Sequence, residues 1–212
     1  WFGEMRKKKF YFIVFEGIEG TGKSYQINKL CNNLKKLGYN LQKTREPGGS
    51  RTAEKIRSLI FSKISNKFDK LTDYYLMNAS RNEHVKKTLQ SAIKAKKIVI
   101  SDRFTDSTYA YQVVANNIDK KINLMNQKYI LGNLKPHLTI VLKSNIRTIY
   151  ERIKKRKKNN KFDKLKKIFY RRAQNAFLYL AKKNKNYLVF DSSKNTSELE
   201  KKILSVVLKK IK

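Results

Sequence analysis

The chain has 212 residues, 40% of them hydrophobic, and carries 50 lysines and arginines against 16 aspartates and glutamates, a formal net charge of +34. That length suits one α/β domain with a sizeable core, and no run approaches the ~18 uninterrupted apolar residues of a membrane span. The basic excess attracts polyanions in general. It is spread over almost every segment, with no recognition helix, zinc knuckle or aromatic RNA-binding signature, so no dedicated nucleic-acid or membrane partner is expected.

Trp1-Phe2-Gly3-Glu4 precedes Met5 and reads as an extension outside the fold, and the opening residues lack an apolar secretory segment. Phe10-Tyr11-Phe12-Ile13-Val14-Phe15 is short, aromatic and β-branched, as a buried strand is. Gly17-Ile18-Glu19-Gly20-Thr21-Gly22-Lys23-Ser24 follows and fits G-x-x-x-x-G-K-[ST], the phosphate-cradling P-loop. Beyond it, Ile27, Leu30, Cys31 and Leu34 recur at helical spacing. The glycines therefore stand between a strand and a helix. There the backbone N–H groups close on phosphate, Lys23 reaches the β- and γ-phosphates, and the Ser24 hydroxyl ligates Mg²⁺. Cys31 is the only cysteine; it sits on the apolar face of that helix and permits no internal disulfide, in keeping with a reducing cytoplasm.

Gly38 reads as a helix stop and residues 40–44 as a second strand. Arg45-Glu46-Pro47-Gly48-Gly49 is a turn, followed by a helix carrying Ile56, Leu59 and Ile60. Leu71, Tyr75, Met77 and Leu89 mark a longer helix over about 69–95. Residues 98–100, 138–142 and 187–190 supply three more strands, and 198–211 a last helix. There is no repeat, no low-complexity linker and only two prolines, so residues 1–212 read as a single domain. The alternation predicts an α/β three-layer sandwich with five mostly parallel strands flanked by helices. Ligands belong at the carboxyl ends of those strands.

Asp102 sits just beyond the carboxyl end of the third strand. It suits a Walker-B carboxylate that orients Mg²⁺ as well as it suits a cap on the next turn, and the adjacent fork-shaped cation Arg103 favours the first. Arg45 ends the second strand beside Gly48 and Gly49, which permit close backbone approach, and is assigned to phosphate. Arg81, judged by composition alone, is an exposed helix arginine. His84 and His137 are assigned to a helix face and a post-proline turn rather than to catalysis.

These blocks resemble the bacterial thymidylate kinase family over almost all of residues 9–210. The resemblance lies in the P-loop with its strand, Thr44-Arg45-Glu46-Pro47-Gly48-Gly49, Ala79-Ser80-Arg81, Asp102-Arg103-Phe104 and Ser107-Thr108-Tyr109-Ala110-Tyr111-Gln112. It implies a P-loop kinase with a helical lid over about 152–163, using ATP and Mg²⁺ to phosphorylate thymidine 5′-monophosphate, as a cytoplasmic homodimer. By the same resemblance the acceptor phosphate falls to Arg45 and Arg103 and the thymine edge to Arg81, with Thr108 and Gln112 near the base. Tyr111 lies against the deoxyribose, Glu19 at the acceptor's sugar, and Arg152 against adenine.

Three departures stand out. Met77 replaces a stacking phenylalanine. The segment after Gln112 is not glycine-rich. The lid reads Asp163-Lys164 where the family often has Asp-Arg. Gly20 stands where some relatives place an arginine, so the catalytic cation is expected from the lid. Arg156 is preferred for it, with Arg152 and Lys164 as alternatives.

A phosphate monoester has a second pKa near 6 and is largely ionised at pH 7, so the acceptor needs no general base. No H-R-D-x-x-x-x-N motif is present to supply one. The rival readings are a kinase for another nucleotide or a deoxynucleoside on the same fold, and a nucleic-acid-stimulated ATPase.

Overall fold

Burial on both faces turns short apolar runs into the strands of a parallel sheet. The computed structural model describes residues 9–155, 166–194 and 196–211. In β1 (Tyr11–Glu16), Phe12 and Val14 pack with Val99 and Phe104 on one side, while Ile13 and Phe15 pack with Ile27, Ile100 and Leu142 on the other. A strand covered twice reads as an unbroken apolar run rather than an alternating one. With β2 (Leu41–Arg45), β3 (Ile98–Asp102), β4 (Leu138–Lys143) and β5 (Tyr187–Asp191) it forms a five-stranded sheet, ordered β2-β3-β1-β4-β5, in which every pairing is parallel.

Parallel neighbours require crossovers, and helices supply them. In chain order these are α1 (Lys23–Lys36), α2 (Arg51–Ile60), α3 (Lys70–His84), α4 (Gln90–Lys94), α5 (Thr105–Thr108), α6 (Lys120–Leu131), α7 (Ile146–Lys154), α8 (Lys167–Lys183) and α9 (Ser197–Ile211). Leu30 and Leu34 of α1 and Leu199, Ile203 and Val207 of α9 cover one face of the sheet. The other is covered by Val85, Leu89 and Ala92 near β3, and by Ile149, Tyr170 and Phe177 of α7 and α8 near β4. The expected three layers are present. Among the described residues no helix is long and apolar enough to cross a membrane.

The long helix expected over 69–95 is a continuous helical stretch, with a wide π-type turn at Val85–Leu89 joining α3 to α4. The apolar pattern marks its buried face only in part, through Met77 and Leu89. Leu71 and Tyr75 are 40% and 50% exposed, whereas Tyr74, Asn78, Arg81 and His84 are buried. Polar side chains occupy the inward face because they find partners there, and a count of apolar residues cannot register that. Of the expected lid, Arg152 and Ile153 belong to α7. Arg156 and Lys164 lie outside the described residues.

Gly17 directly follows β1 and lies against Leu142 of β4. Its φ is +134°, and a Cβ there would stand 2.3 Å from the Leu142 carbonyl oxygen. Gly38, with φ +79°, faces open space. Gly17→Ala should therefore cost about 2 kcal/mol or more through overpacking and backbone strain, lowering the thermal midpoint by roughly 4 °C or more. Gly38→Ala should cost only about 1 kcal/mol. Thermal unfolding followed by circular dichroism compares the two.

Candidate active site

The loop after β1 closes on itself. Lys23 Nζ donates to the carbonyls of Gly17 (2.7 Å) and Ile18 (3.0 Å), and Thr21 Oγ1 donates to Ile18 O (2.8 Å). Helix α1 starts immediately after Gly22, and no side chain caps it. Its first N–H groups thus have no intrahelical acceptor, and its positive end suits an anion. Burial and the neighbouring Arg103 bring the Lys23 ammonium down to about 8, against the pull of Asp102, Glu19 and Glu16.

Strand β3 runs to Asp102, two residues further than expected, and its parallel registers set Asp102 beside Phe15 of β1 and Arg45 of β2. Ser24 Oγ donates to Asp102 Oδ2 at 3.0 Å, while Asp102 Oδ1 is buried with no hydrogen-bond partner among the described residues. A hydroxyl beside a carboxylate with one orphaned oxygen suits a hard divalent cation. Among the described residues no group of three His, Cys, Asp or Glu side chains could cage one. Such a cation would therefore take its remaining ligands from phosphate and water.

From Lys23 and Ser24 a cavity of about 400 Å³ runs to Met77, Thr108 and Gln112. Arg81 lines it, yet is only 3% exposed, contrary to the reading from composition. Its Nε donates to Glu46 Oε2 (2.7 Å), Nη1 to Asn78 Oδ1 (3.3 Å), and Nη2 to Phe104 O (3.1 Å) and Thr108 Oγ1 (2.8 Å). The second oxygen of Glu46 meets His84 Nδ1 at 2.8 Å, and His84 Nε2 meets Thr44 Oγ1 at 2.8 Å. His84 is thus not on an open helix face; it is fully buried in a polar relay behind Arg81. Gly49 has no room for a side chain against that relay, since a Cβ would lie 2.5 Å from both His84 and Thr44.

Arg103 follows Asp102 in a left-handed conformation, φ +73°. Its Nη2 donates to Glu19 Oε1 (2.7 Å), and the other Glu19 oxygen accepts the Tyr111 hydroxyl at 2.5 Å. Arg45 reaches the cavity while bonded to Glu54 through Nε (3.1 Å) and Nη2 (2.8 Å). Arg57, which the sequence did not single out, also lines the cavity, held by the Pro47 carbonyl at 2.6 Å. Its position one helical turn beyond Ala53 and Glu54 was the available signal. Arg152 turns toward the P-loop and donates to the carbonyls of Gly20 (3.1 Å), Ser192 (2.9 Å) and Ser193 (2.6 Å). The structure therefore gathers Glu19, Lys23, Ser24, Arg45, Met77, Arg81, Asp102, Arg103, Thr108, Tyr111 and Gln112 around one space.

A phosphate-cradling loop that opens into a cationic pocket, at the carboxyl edge of a parallel sheet, is the arrangement of a P-loop phosphotransferase. The family model described as Thymidylate kinase matches residues 15–203. A thymidylate kinase of Mycoplasma capricolum is 35% identical over 95% of this chain and 96% of its own length. One from a Sulfurihydrogenibium species is 35% identical over 92% and 95%. The crystal structure of the Ehrlichia chaffeensis thymidylate kinase superposes with a TM-score of 0.76 at 29% identity, covering 94% of this chain and 99% of that one. The chain belongs to the thymidylate kinase family, whose substrates are ATP and thymidine monophosphate.

The Glu46 carboxyl carries a pH prediction. Burial alone would raise its pKa, but Arg81 and His84 outweigh burial and hold it below its ordinary value of 4.5. The folded state therefore binds this proton more weakly than the unfolded state does. The pair's contribution is complete above pH 4.5 and is lost as pH falls through the lower folded value. Glu46→Gln leaves Arg81 with an uncompensated buried charge and should cost about 3 kcal/mol at pH 7. That gap should narrow in melts taken from pH 5 down to 3.

Proposed function

We propose that this chain transfers the γ-phosphoryl group of ATP to thymidine 5′-monophosphate, yielding ADP and thymidine 5′-diphosphate for dTTP supply. The observation that carries the reading is the continuity of one cavity from Lys23 and Ser24 to Arg45, Arg81 and Arg103. Two polyanions must meet end to end there, and fixed positive charge offsets their repulsion in a partly dry site.

On this reading the backbone of residues 17–24, from Gly17 and Ile18 through Gly20, Thr21 and Gly22, holds the triphosphate, with Lys23 on its β- and γ-oxygens. The bonds of Arg152 to the Gly20, Ser192 and Ser193 carbonyls support a role on the ATP side. Arg45 and Arg103 take the acceptor phosphate once it displaces Glu54 and Glu19 from them. Arg81, Thr108 and Gln112 meet the base edge, Met77 its face, and Tyr111 and Glu19 the sugar. An ionised oxygen of the monophosphate attacks the γ-phosphorus. The bond from that phosphorus to the β,γ-bridging oxygen breaks, and its electron pair leaves on ADP. No side chain takes a proton, because the acceptor is already ionised. Mg²⁺, which Ser24 and Asp102 would hold, would supply positive charge that offsets the negative charge of the transferring phosphate.

The assembly proposed is a homodimer formed through exposed helices. Neighbouring α3 and α6, joined by the Asn126–Tyr74 hydrogen bond (2.9 Å), carry Tyr75, Leu124, Met125 and Tyr129 at 50%, 55%, 60% and 82% exposure. Apolar side chains that stand this far out gain most from a partner. A cytoplasmic location accords with the single thiol, Cys31.

A coupled assay across the common nucleoside monophosphates tests the substrate. Thymidine monophosphate should be preferred over the deoxyadenosine, deoxyguanosine and deoxycytidine monophosphates by up to ~10⁴-fold in kcat/KM. Equal efficiency with a purine overturns the assignment. Lys23→Ala should lower kcat by ~10²-fold or more with the fold intact. Light scattering at moderate salt should report twice the 25.0 kDa chain mass.

A further inference from the structure

Glu16 lies at the last position of β1, immediately before the P-loop, and is fully buried. It does not line the cavity. Its carboxylate nevertheless collects three donors from the turn that follows β3. Oε1 accepts the backbone N–H groups of Phe104 (2.8 Å) and Ser107 (3.3 Å), and Oε2 accepts the Ser107 hydroxyl (2.7 Å). Two of the three arginines assigned above to the acceptor are bonded to that same turn. Arg103 Nη1 donates to Ser107 Oγ (3.0 Å), and Arg81 Nη2 donates to Phe104 O and Thr108 Oγ1.

We propose that Glu16 is a positioning residue for the acceptor nucleotide: it holds the 104–108 turn, and through it the Arg103 and Arg81 guanidinium groups, in the geometry that receives the monophosphate. The inference rests on the acceptor-site reading above. A hydroxyl has one hydrogen. By giving it to Glu16, Ser107 turns its lone pairs toward Arg103. The anchored Phe104 N–H, which would otherwise be unpaired, and the Ser107 N–H, shared between Glu16 and the Phe104 carbonyl (3.3 Å), fix the start of α5. Arg103 needs such support, since its left-handed backbone costs about 1–3 kcal/mol for a residue with a side chain.

The groups that face Glu16 are known. Burial, and after it the nearby Asp106, raise its pKa above the ordinary carboxylate value, while Arg103, the Ser107 hydroxyl and the Phe104 N–H favour the ionised form. Asp106 is itself pushed up to about 6 by burial, against the Tyr187 and Thr105 hydroxyls and Arg81. An acid this costly to bury would be better replaced by an apolar residue if it only filled space. Its placement between the phosphate loop and the acceptor turn is what a positioning role requires.

The experiment compares Glu16→Ala, Glu16→Gln and Ser107→Ala with the wild type. It uses whichever monophosphate the wild type phosphorylates with the highest kcat/KM, so an error in the acceptor's identity shows in the wild type and not in the comparison. Glu16→Ala leaves the Phe104 N–H unpaired and the Ser107 N–H with only its 3.3 Å bond to Phe104 O, and should raise the acceptor KM about tenfold or more, with the ATP KM within about twofold. Glu16→Gln keeps an oxygen for those donors and should recover most of the loss. Ser107→Ala should raise the acceptor KM selectively, and should add little in the Glu16→Ala background because both act on one contact. A Glu16→Ala protein that shows unchanged KM values, or KM values for both substrates raised alike, overturns the proposal. Should Glu16→Ala not fold, Ser107→Ala decides: a selective rise in acceptor KM supports the proposal, and unchanged or equally raised KM values overturn it.

Discussion

The parallel register of β1, β3 and β2 is the constraint on which the rest of the site depends. It sets Phe15 beside Asp102 and Asp102 beside Arg45, so the three strands end level. The P-loop leaves the first of these ends, Arg103 the second, and the Glu46-Pro47-Gly48-Gly49 turn the third. A register slip would carry Arg45 or Asp102 to the opposite face of its strand, because side chains alternate with period two. Dense apolar packing on both faces of the sheet makes that slip costly, and the site inherits its geometry from the core.

Within that frame, arginines are held by carboxylates of differing permanence. Arg81 and Glu46 are each 3% exposed, and Glu46 is bonded on both oxygens. A pair so deeply buried and so fully satisfied does not exchange partners easily. Arg45 and Glu54 are 53% and 38% exposed, and Arg103 and Glu19 lie between at 16% and 11%. Exposed pairs are weak and exchangeable. An incoming phosphate can therefore compete for Arg45 and Arg103 while Arg81 stays in place. On the proposed assignment, fixed recognition of a base and adaptable capture of a phosphate come from the same chemistry at different burial.

The acid distribution follows the same logic. In a chain of net charge +34, Glu16, Glu19, Glu46, Glu54, Asp102 and Asp106 lie in or beside this one region. These six carboxylates stand beside the cations of the site. The abundant lysines elsewhere set a long-range field that draws anionic nucleotides toward the protein.

Much of this was legible in the linear chain. Apolar runs located each strand to within about two residues, since a doubly covered strand needs nothing more than continuous hydrophobicity. The P-loop could be read directly because its chemistry depends on local spacing, and Asp102 and Arg45 because ligands gather at strand ends. The inward face of α3 could not be read that way. Tyr75 and Leu71 look like core and stand exposed, while Arg81 and His84 look like surface and are buried. Their burial depends on Glu46, 35 residues from Arg81 and 38 from His84. The same holds for Glu16 and Ser107, 91 residues apart. The sequence by itself determined the elements, the sheet and the phosphate loop, because local periodicity and backbone geometry encode them. Only the tertiary structure decided which polar side chains are buried and what they hold, because a buried charge is tolerated solely where folding brings it a partner.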